Sequence, residues 1–175
     1  ADGMNTWRKE FFPEYKANRR KNRDNSDQDW NEIFRILHLV RDEIREYLPY
    51  KVIHLDGVEA DDVIGTLTMR TQEFGQDEPI MIVSSDKDFI QLQKYNNVKQ
   101  FSPIQKKMVT DNNPRMYLFN HIMRGDSGDG IPNVLSADDT FVSEGKQTPL
   151  RQVKINEWLD ASDRLREVMP EDIYR

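Results

Sequence analysis

Three acidic groups combine residue type and spacing suited to chemistry: Glu59-Ala60-Asp61-Asp62, Asp86-Lys87-Asp88, and Asp126 with Asp129 in the turn Gly125–Gly130. The first sits just past a short apolar run, at the start of a helical pattern. The second follows the apolar run that ends at Ser84-Ser85. Ligands in open parallel sheets bind beyond the carboxyl ends of the strands, so these two groups share that edge. Each group alone reads equally well as a helix cap, because one carboxylate can satisfy free N–H groups and complement the helix dipole. One cap needs one acid, however, and together the groups bring seven carboxylates into a small region. Like charges at that density raise one another's pKa and oppose folding. A divalent cation removes the repulsion, and hard oxygen ligands suit Mg²⁺ or Mn²⁺. The chemistry open to such a site is phosphodiester hydrolysis, in which two ions about 3.5–4 Å apart activate a water and stabilise the leaving oxygen.

Positive charge is gathered elsewhere. Between Arg8 and Arg23 seven basic residues (Arg8, Lys9, Lys16, Arg19, Arg20, Lys21, Arg23) meet only Glu10 and Glu14, in a chain of formal net charge −6. On a helix, Arg8, Phe12, Tyr15/Lys16 and Arg19 form a mixed basic and aromatic stripe. Basic groups neutralise phosphates, and rings stack on unpaired bases. The alternative is a solvated helix face whose aromatics pack on the core. For Trp7 and Phe11 core packing is the preferred reading. For Lys16 and Arg19 it is phosphate contact, because their charge lies beside an otherwise acidic site.

The elements that must position these groups follow from hydrophobic periodicity. The pattern predicts a helix or bent helix over 4–20, interrupted by Pro13, then a polar mobile link over 21–29. A helix from Trp30 ends before Pro49, and 51–55 reads as a short strand. A helix over 60–74 buries Val63, Ile64, Leu67 and Met69 and is closed by Gly75. The run 79–84 is apolar enough for a strand buried on both faces. Residues 88–95 read as helix, 97–101 and 107–109 as strands around Ser102-Pro103, and 114–124, 148–159 and 161–168 as helices. Strand and helix in alternation predict an α/β fold with a parallel central sheet flanked by helices.

Bulk properties bound the rest. With 175 residues, 32% charged and 37% hydrophobic, the chain has room for one core-bearing domain and a small appendage,. No apolar run approaches the roughly 20 residues of a membrane helix, and neither a membrane span nor a secretory leader is expected. The absence of cysteine excludes disulfides and thiolate metal sites and points to a reducing, cytoplasmic compartment,. Three histidines argue against a zinc site,. Any metal must then be held by oxygen.

Tyr15-Lys16-Ala17-Asn18-Arg19, Glu59-Ala60-Asp61-Asp62, Ser84-Ser85-Asp86-Lys87-Asp88 and Gly125-Asp126-Ser127-Gly128-Asp129-Gly130-Ile131-Pro132 occur in the order seen in the flap-endonuclease-like 5′-nucleases. The chain resembles that family over about residues 1–160. Gln100-Phe101-Ser102-Pro103, Lys106-Lys107 and Glu144-Gly145 leading to Thr148-Pro149 resemble most its T-even phage ribonuclease H branch. The resemblance implies a PIN/5′-nuclease-like sheet, a basic helical arch over 4–29 and a helix–three-turn–helix that grips duplex DNA. It places Asp2, Glu59, Asp61 and Asp86 on a first Mg²⁺, with Asp62, Asp88, Asp126 and Asp129 around a second. It implies that Lys16 and Arg19 steer and polarise the scissile phosphate, assisted by Arg8. The family's first strand, with its own metal-binding Asp, should precede Ala1, so the chain reads as a fragment. After Pro132 the acidic stretch 133–140 departs from the glycine- and lysine-rich hairpin of many cellular members. Lys146, Arg151 and Lys154 are candidate substitutes for its phosphate contacts.

The expected organisation is an α/β nuclease core over 1–110 and a helical DNA-binding region over 111–175. The expected activity is metal-dependent hydrolysis at the 5′ end or flap of DNA or RNA·DNA duplexes, as in RNA-primer removal during phage-type replication. Arg8, Tyr15, Lys16, Arg19, Arg20, Lys21 and Arg23 are expected to bind nucleic acid, and Lys16, Arg19, Asp61 and Asp86 to carry the chemistry. A single-stranded-DNA-binding protein and a sliding clamp are the partners implied, with a monomeric chain. The rival readings are a PIN-type ribonuclease and a non-catalytic, structure-specific DNA-binding module.

Overall fold

The computed structural model describes residues 6–73, 78–143, 145–161, 164, 165 and 169, apart from the side chains of Arg20, Lys21 and Glu73. Asp2, Gly75, Glu144, the side chains of Arg20 and Lys21, and most of the helix expected over 161–168 lie outside the described residues. The described elements are α1 (Arg8–Phe11), α2 (Ala17–Asp24), α3 (Trp30–Tyr47), α4 (Ala60–Glu73), β1 (Ile80–Val83), a 3₁₀ helix (Lys87–Lys94), β2 (Val98–Ser102), β3 (Lys107–Val109), α5 (Pro114–Arg124) and α6 (Gln152–Asp160). None of the described helices is long and apolar enough to cross a membrane.

The sheet is mixed rather than wholly parallel. β1 pairs with β2 in parallel, Ile80 opposite Val98, and β2 pairs with β3 antiparallel, Gln100 opposite Val109. Only four residues separate β2 from β3, too few for the crossover a parallel pair requires,. β1 is also not buried on both faces. Ile82 points into the core while Met81 and Val83 are 53% and 64% exposed, as the two-residue period of a strand with one covered face dictates.

Two apolar clusters hold the elements. Ile82, Phe89, Leu92 and Val98 pack together, with Ile64 of α4 against them. Met123, Ile155, Trp158 and Met169 form the second cluster, joining α5 to α6. Full burial of side chains of this size contributes about 1.5–3 kcal/mol each. Phe89 and Leu92 are three residues apart, so a helix with three residues per turn brings both to one face. That spacing accounts for a 3₁₀ helix where an unspecified helical turn is expected from sequence.

Other departures have equally local causes. Pro13 breaks the expected 4–20 helix into α1 and α2, separated by turns, and α2 continues to Asp24, into the expected mobile link,. Residues 51–55 form no strand, since among the described residues no strand lies beside them to take up their backbone groups,. On α4 the inward stripe is Asp61, Ile64, Thr68 and Gln72, at helical spacing, so Leu67 and Met69 face outward,. α6 begins at Gln152, after Pro149 rather than at it.

Candidate active site

Local structure explains how each acid is presented. Asp62 caps its own helix, accepting a hydrogen bond from the Glu59 amide at 3.1 Å, so the capping reading holds for that residue. Asp61 shares the face of α4 that carries Ile64, and packing of α4 on the 3₁₀ helix turns it towards Asp88. Asp86 caps the 3₁₀ helix, accepting from the Asp88 amide at 2.9 Å. Buried Gln100 steadies the preceding loop by donating to the carbonyls of Ser84 and Asp86, at 2.9 and 2.5 Å. The hydroxyls of Ser85 and Ser102 meet at 2.7 Å. Asn113 and Pro114 start α5, and Gly125 ends it at a φ of 67°,. A Cβ there would lie 2.3 Å from the carbonyl oxygens of Ile131 and Pro132. Only glycine lets the chain reverse so tightly, and the reversal brings Asp126 and Asp129 back over the cleft.

The result is a cleft of about 390 Å³, lined among others by Arg8, Tyr15, Asp61, Asp62, Asp88, His121, Asp126 and Asp129. Its carboxylates fall into two halves. One half is compensated by the basic arm. Glu59, 1% exposed, accepts from the Tyr15 hydroxyl at 2.8 Å, Lys16 Nζ at 2.6 Å and Arg8 at 2.9 Å, the partners a buried charge requires. Arg8 also clasps Asp62 through both terminal nitrogens, at 2.8 and 2.7 Å, and Trp7 Nε1 donates to Asp62 at 3.0 Å. The Arg8 guanidinium holds the Asp62 carboxyl down at about 2,. Asp129 is bonded to Arg19 and accepts from Tyr15 at 3.1 Å. Burial and the Glu59 carboxylate push the Tyr15 phenol well up, so it remains a donor.

The other half faces like charge. Burial, then the charge of Asp86, pushes the Asp61 carboxyl up; Glu59 and Asp88 push it further. Asp88 is raised in the same way, by burial first and Asp86 second. One ligand atom each from Asp88, His121 and Asp126 lies within 4.8 Å of the others. Asp61 and Asp88, raised by burial and by neighbouring charge, form with Asp86 and Asp126 a donor set from three separate segments that fits a divalent cation,. Asp61, Asp86, Asp88 and Asp126 are the residues able to hold it.

Tyr15, Lys16 and Arg19 meet the acids although no continuous helix carries them. The Lys16 amide donates to the Asp129 carbonyl at 2.7 Å, and Asn18 Nδ2 to the Ser127 carbonyl at 3.0 Å. The 12–19 segment thus docks on the glycine-rich turn. Arg23 lies over the Phe34 ring at 5.7 Å, tying α2 to α3. Lys146 and Arg151 are exposed, and Lys154 pairs with Glu157 at 3.1 Å and lies over Trp158; none of the three lines the cleft. Trp7 and Phe11 are not in the core, at 45% and 79% exposed. The acidic motifs also gave no sign of Trp7, Tyr117, His121 or Gln100. Of these, His121 carried a usable signal, one helical turn before the turn that bears Asp126.

Residues 1–117 match the family described as 5′-3′ exonuclease, N-terminal resolvase-like domain. The chain is 40% identical over 162 residues to ribonuclease H of Enterobacteria phage T4, a match covering 90% of this chain and 52% of that protein. It is 31% identical over 141 residues to the flap endonuclease Xni of Shewanella sp. (strain MR-4), covering 74% and 48%. The bacteriophage T5 flap endonuclease, solved as a pseudo-enzyme-product complex with DNA and metal ions, shares the fold. Its TM-score is 0.64 at 19% identity, over 98% of this chain and 71% of that one. The chain spans about half the length of the curated relatives it matches.

Proposed function

The chain belongs to the 5′-3′ exonuclease family, whose N-terminal resolvase-like domain it carries, and from that membership we propose that it is the core of a divalent-cation-dependent 5′-nuclease. Its substrates are DNA or RNA·DNA duplexes with a 5′ end or flap, and its place is primer removal at replication. The observation that carries the reading is the division of the cleft. Asp61, Asp86, Asp88 and Asp126 crowd together beside Glu59, Asp62 and Asp129, which Arg8, Lys16 and Arg19 neutralise.

Asp61, Asp86, Asp88 and Asp126 would hold two Mg²⁺ ions, or Mn²⁺ in their place, which when bound would supply an activated water and stabilisation of the leaving oxygen. Arg8, Lys16 and Arg19 have a second role, because a phosphodiester entering the cleft competes for them with Glu59, Asp62 and Asp129. As these cations turn to the phosphate they polarise it and free the three carboxylates to complete the ligand set. Tyr15, holding Glu59 and Asp129 through one hydroxyl, keeps those carboxylates in place during the exchange. Arg20, Lys21 and Arg23 add basic charge for phosphate contact, and Lys146, Arg151 and Lys154 add contacts from the 111–175 region.

Release of a 5′ label from a flapped duplex, with the chain in its full-length context, tests the proposal. Release should require divalent cation and be abolished by Asp61→Asn or Asp86→Asn with most DNA binding retained. Wild-type rates in either variant would overturn the site assignment.

A further inference from the structure

We propose that Trp7 and Phe11 form a stacking platform for an unpaired base of a single-stranded 5′ tail, and that the platform favours a tailed duplex over a blunt one. The inference rests on reading the cleft as a nuclease site and specifies the substrate that site takes. Trp7 precedes α1 and Phe11 ends it, four residues apart and so on one side of the turn,. Their ring centroids lie 6.0 Å apart with planes at 76°, an edge-to-face pair,. Both rings stand out in solvent, Phe11 at 79% exposed, although side chains of this kind are ordinarily buried.

The indole is held in place at the edge of the cleft. The Trp7 amide donates to the Gly57 carbonyl at 3.1 Å, and Nε1 donates to Asp62 at 3.0 Å. The Arg8 guanidinium lies over the ring, 4.8 Å from its centroid. Arg8 and Asp62 both line the cleft. A phosphate drawn to Arg8 is therefore about one nucleotide from the indole, since that separation is of the order of the ~3.4 Å rise per nucleotide of a DNA strand. Bases inside a duplex stack on their neighbours and offer no free face. An unpaired base does offer one, and aromatic rings take it with little regard to sequence. An apolar protein segment is the competing occupant. Between the two rings, however, Arg8 and Lys9 outnumber Glu10, which favours a polyanion.

Binding to a blunt duplex and to the same duplex with an unpaired 5′ tail tests this, with the chain in its full-length context and Mg²⁺ present. Asp61→Asn serves as the reference background, so that DNA is bound without being cut. Trp7→Ala, Phe11→Ala and Trp7→Phe are compared in that background, with circular dichroism confirming the fold of each. Both alanine variants should lower the tailed-to-blunt affinity ratio about five-fold or more, and Trp7→Phe, which keeps a ring, should lower it less. Fluorescence of 2-aminopurine placed in the tail should be quenched by the reference chain and less so by Trp7→Ala. An unchanged ratio in both alanine variants, or no quenching by the reference chain, overturns the platform. Equal losses on tailed and blunt DNA overturn it too, since the rings would then only support Arg8. If the reference chain binds neither DNA, the nucleic-acid reading of the cleft itself fails.

Discussion

Lys16 has a φ of 57°, in the left-handed region that costs an ordinary residue roughly 1–2 kcal/mol,. The strain persists because both ends of the residue are engaged, the amide with the Asp129 carbonyl and Nζ with Glu59,. The aspartates beside it behave oppositely with pH. Asp62, held at about 2 by Arg8, contributes stability that is present above the ordinary carboxylate pKa and lost as pH falls through about 2,. Asp61 and Asp88 are raised in the fold, by burial first and then by Asp86. Their contribution is full below the ordinary carboxylate pKa and is lost as pH rises through their raised values,. The metal-free chain should therefore melt higher in mildly acidic solution than at neutral pH. Millimolar Mn²⁺ should remove most of that difference, because an ion that binds only the folded state stabilises it by mass action. Melting curves across that pH range, with and without the ion, check this. A Mn²⁺-independent profile would count against it.

At the scale of elements, the acidic site depends on short connections that leave no room for a side chain. Gly130 has a φ of 76°, and a Cβ there would sit 3.2 Å from the Glu14 carbonyl oxygen, where the glycine-rich turn meets the 12–19 segment. Gly130→Ala should cost about 1–3 kcal/mol, read as a lower urea midpoint at unchanged slope. An unaltered midpoint would mean that this contact does not hold the arm. What the sequence made legible follows the same division. Asp61, Asp86, Asp88 and Asp126 could be found because each lies at an element boundary, next to a recognisable apolar run or glycine turn. The limits of α5 could be read from Asn113, Pro114 and Gly125. The unpaired 51–55 segment, the outward Leu67 and Met69, and the partners Trp7, Tyr117, His121 and Gln100 depend on which element packs against which. Periodicity along one chain carries no such information. The antiparallel β2–β3 pair was recoverable from its short connection.

Over the whole molecule, charge is segregated rather than averaged. The basic residues of the Arg8–Arg23 stretch lie in a chain of net charge −6, and several of them fold back onto one half of the acidic cleft while the other half stays repulsive. Such a distribution suits a polyanion that can approach only where cations offset the acids. The division of the acids into two halves is the claim on which the functional reading stands, and counting bound ions tests it most directly. Titration with Mn²⁺, followed by the electron paramagnetic resonance signal of the free ion, should show two ions taken up per chain, as a two-metal phosphodiester site requires. Asp61→Asn and Asp88→Asn should each release at least one of them. No uptake at millimolar Mn²⁺, or uptake that both variants leave intact, would contradict the account.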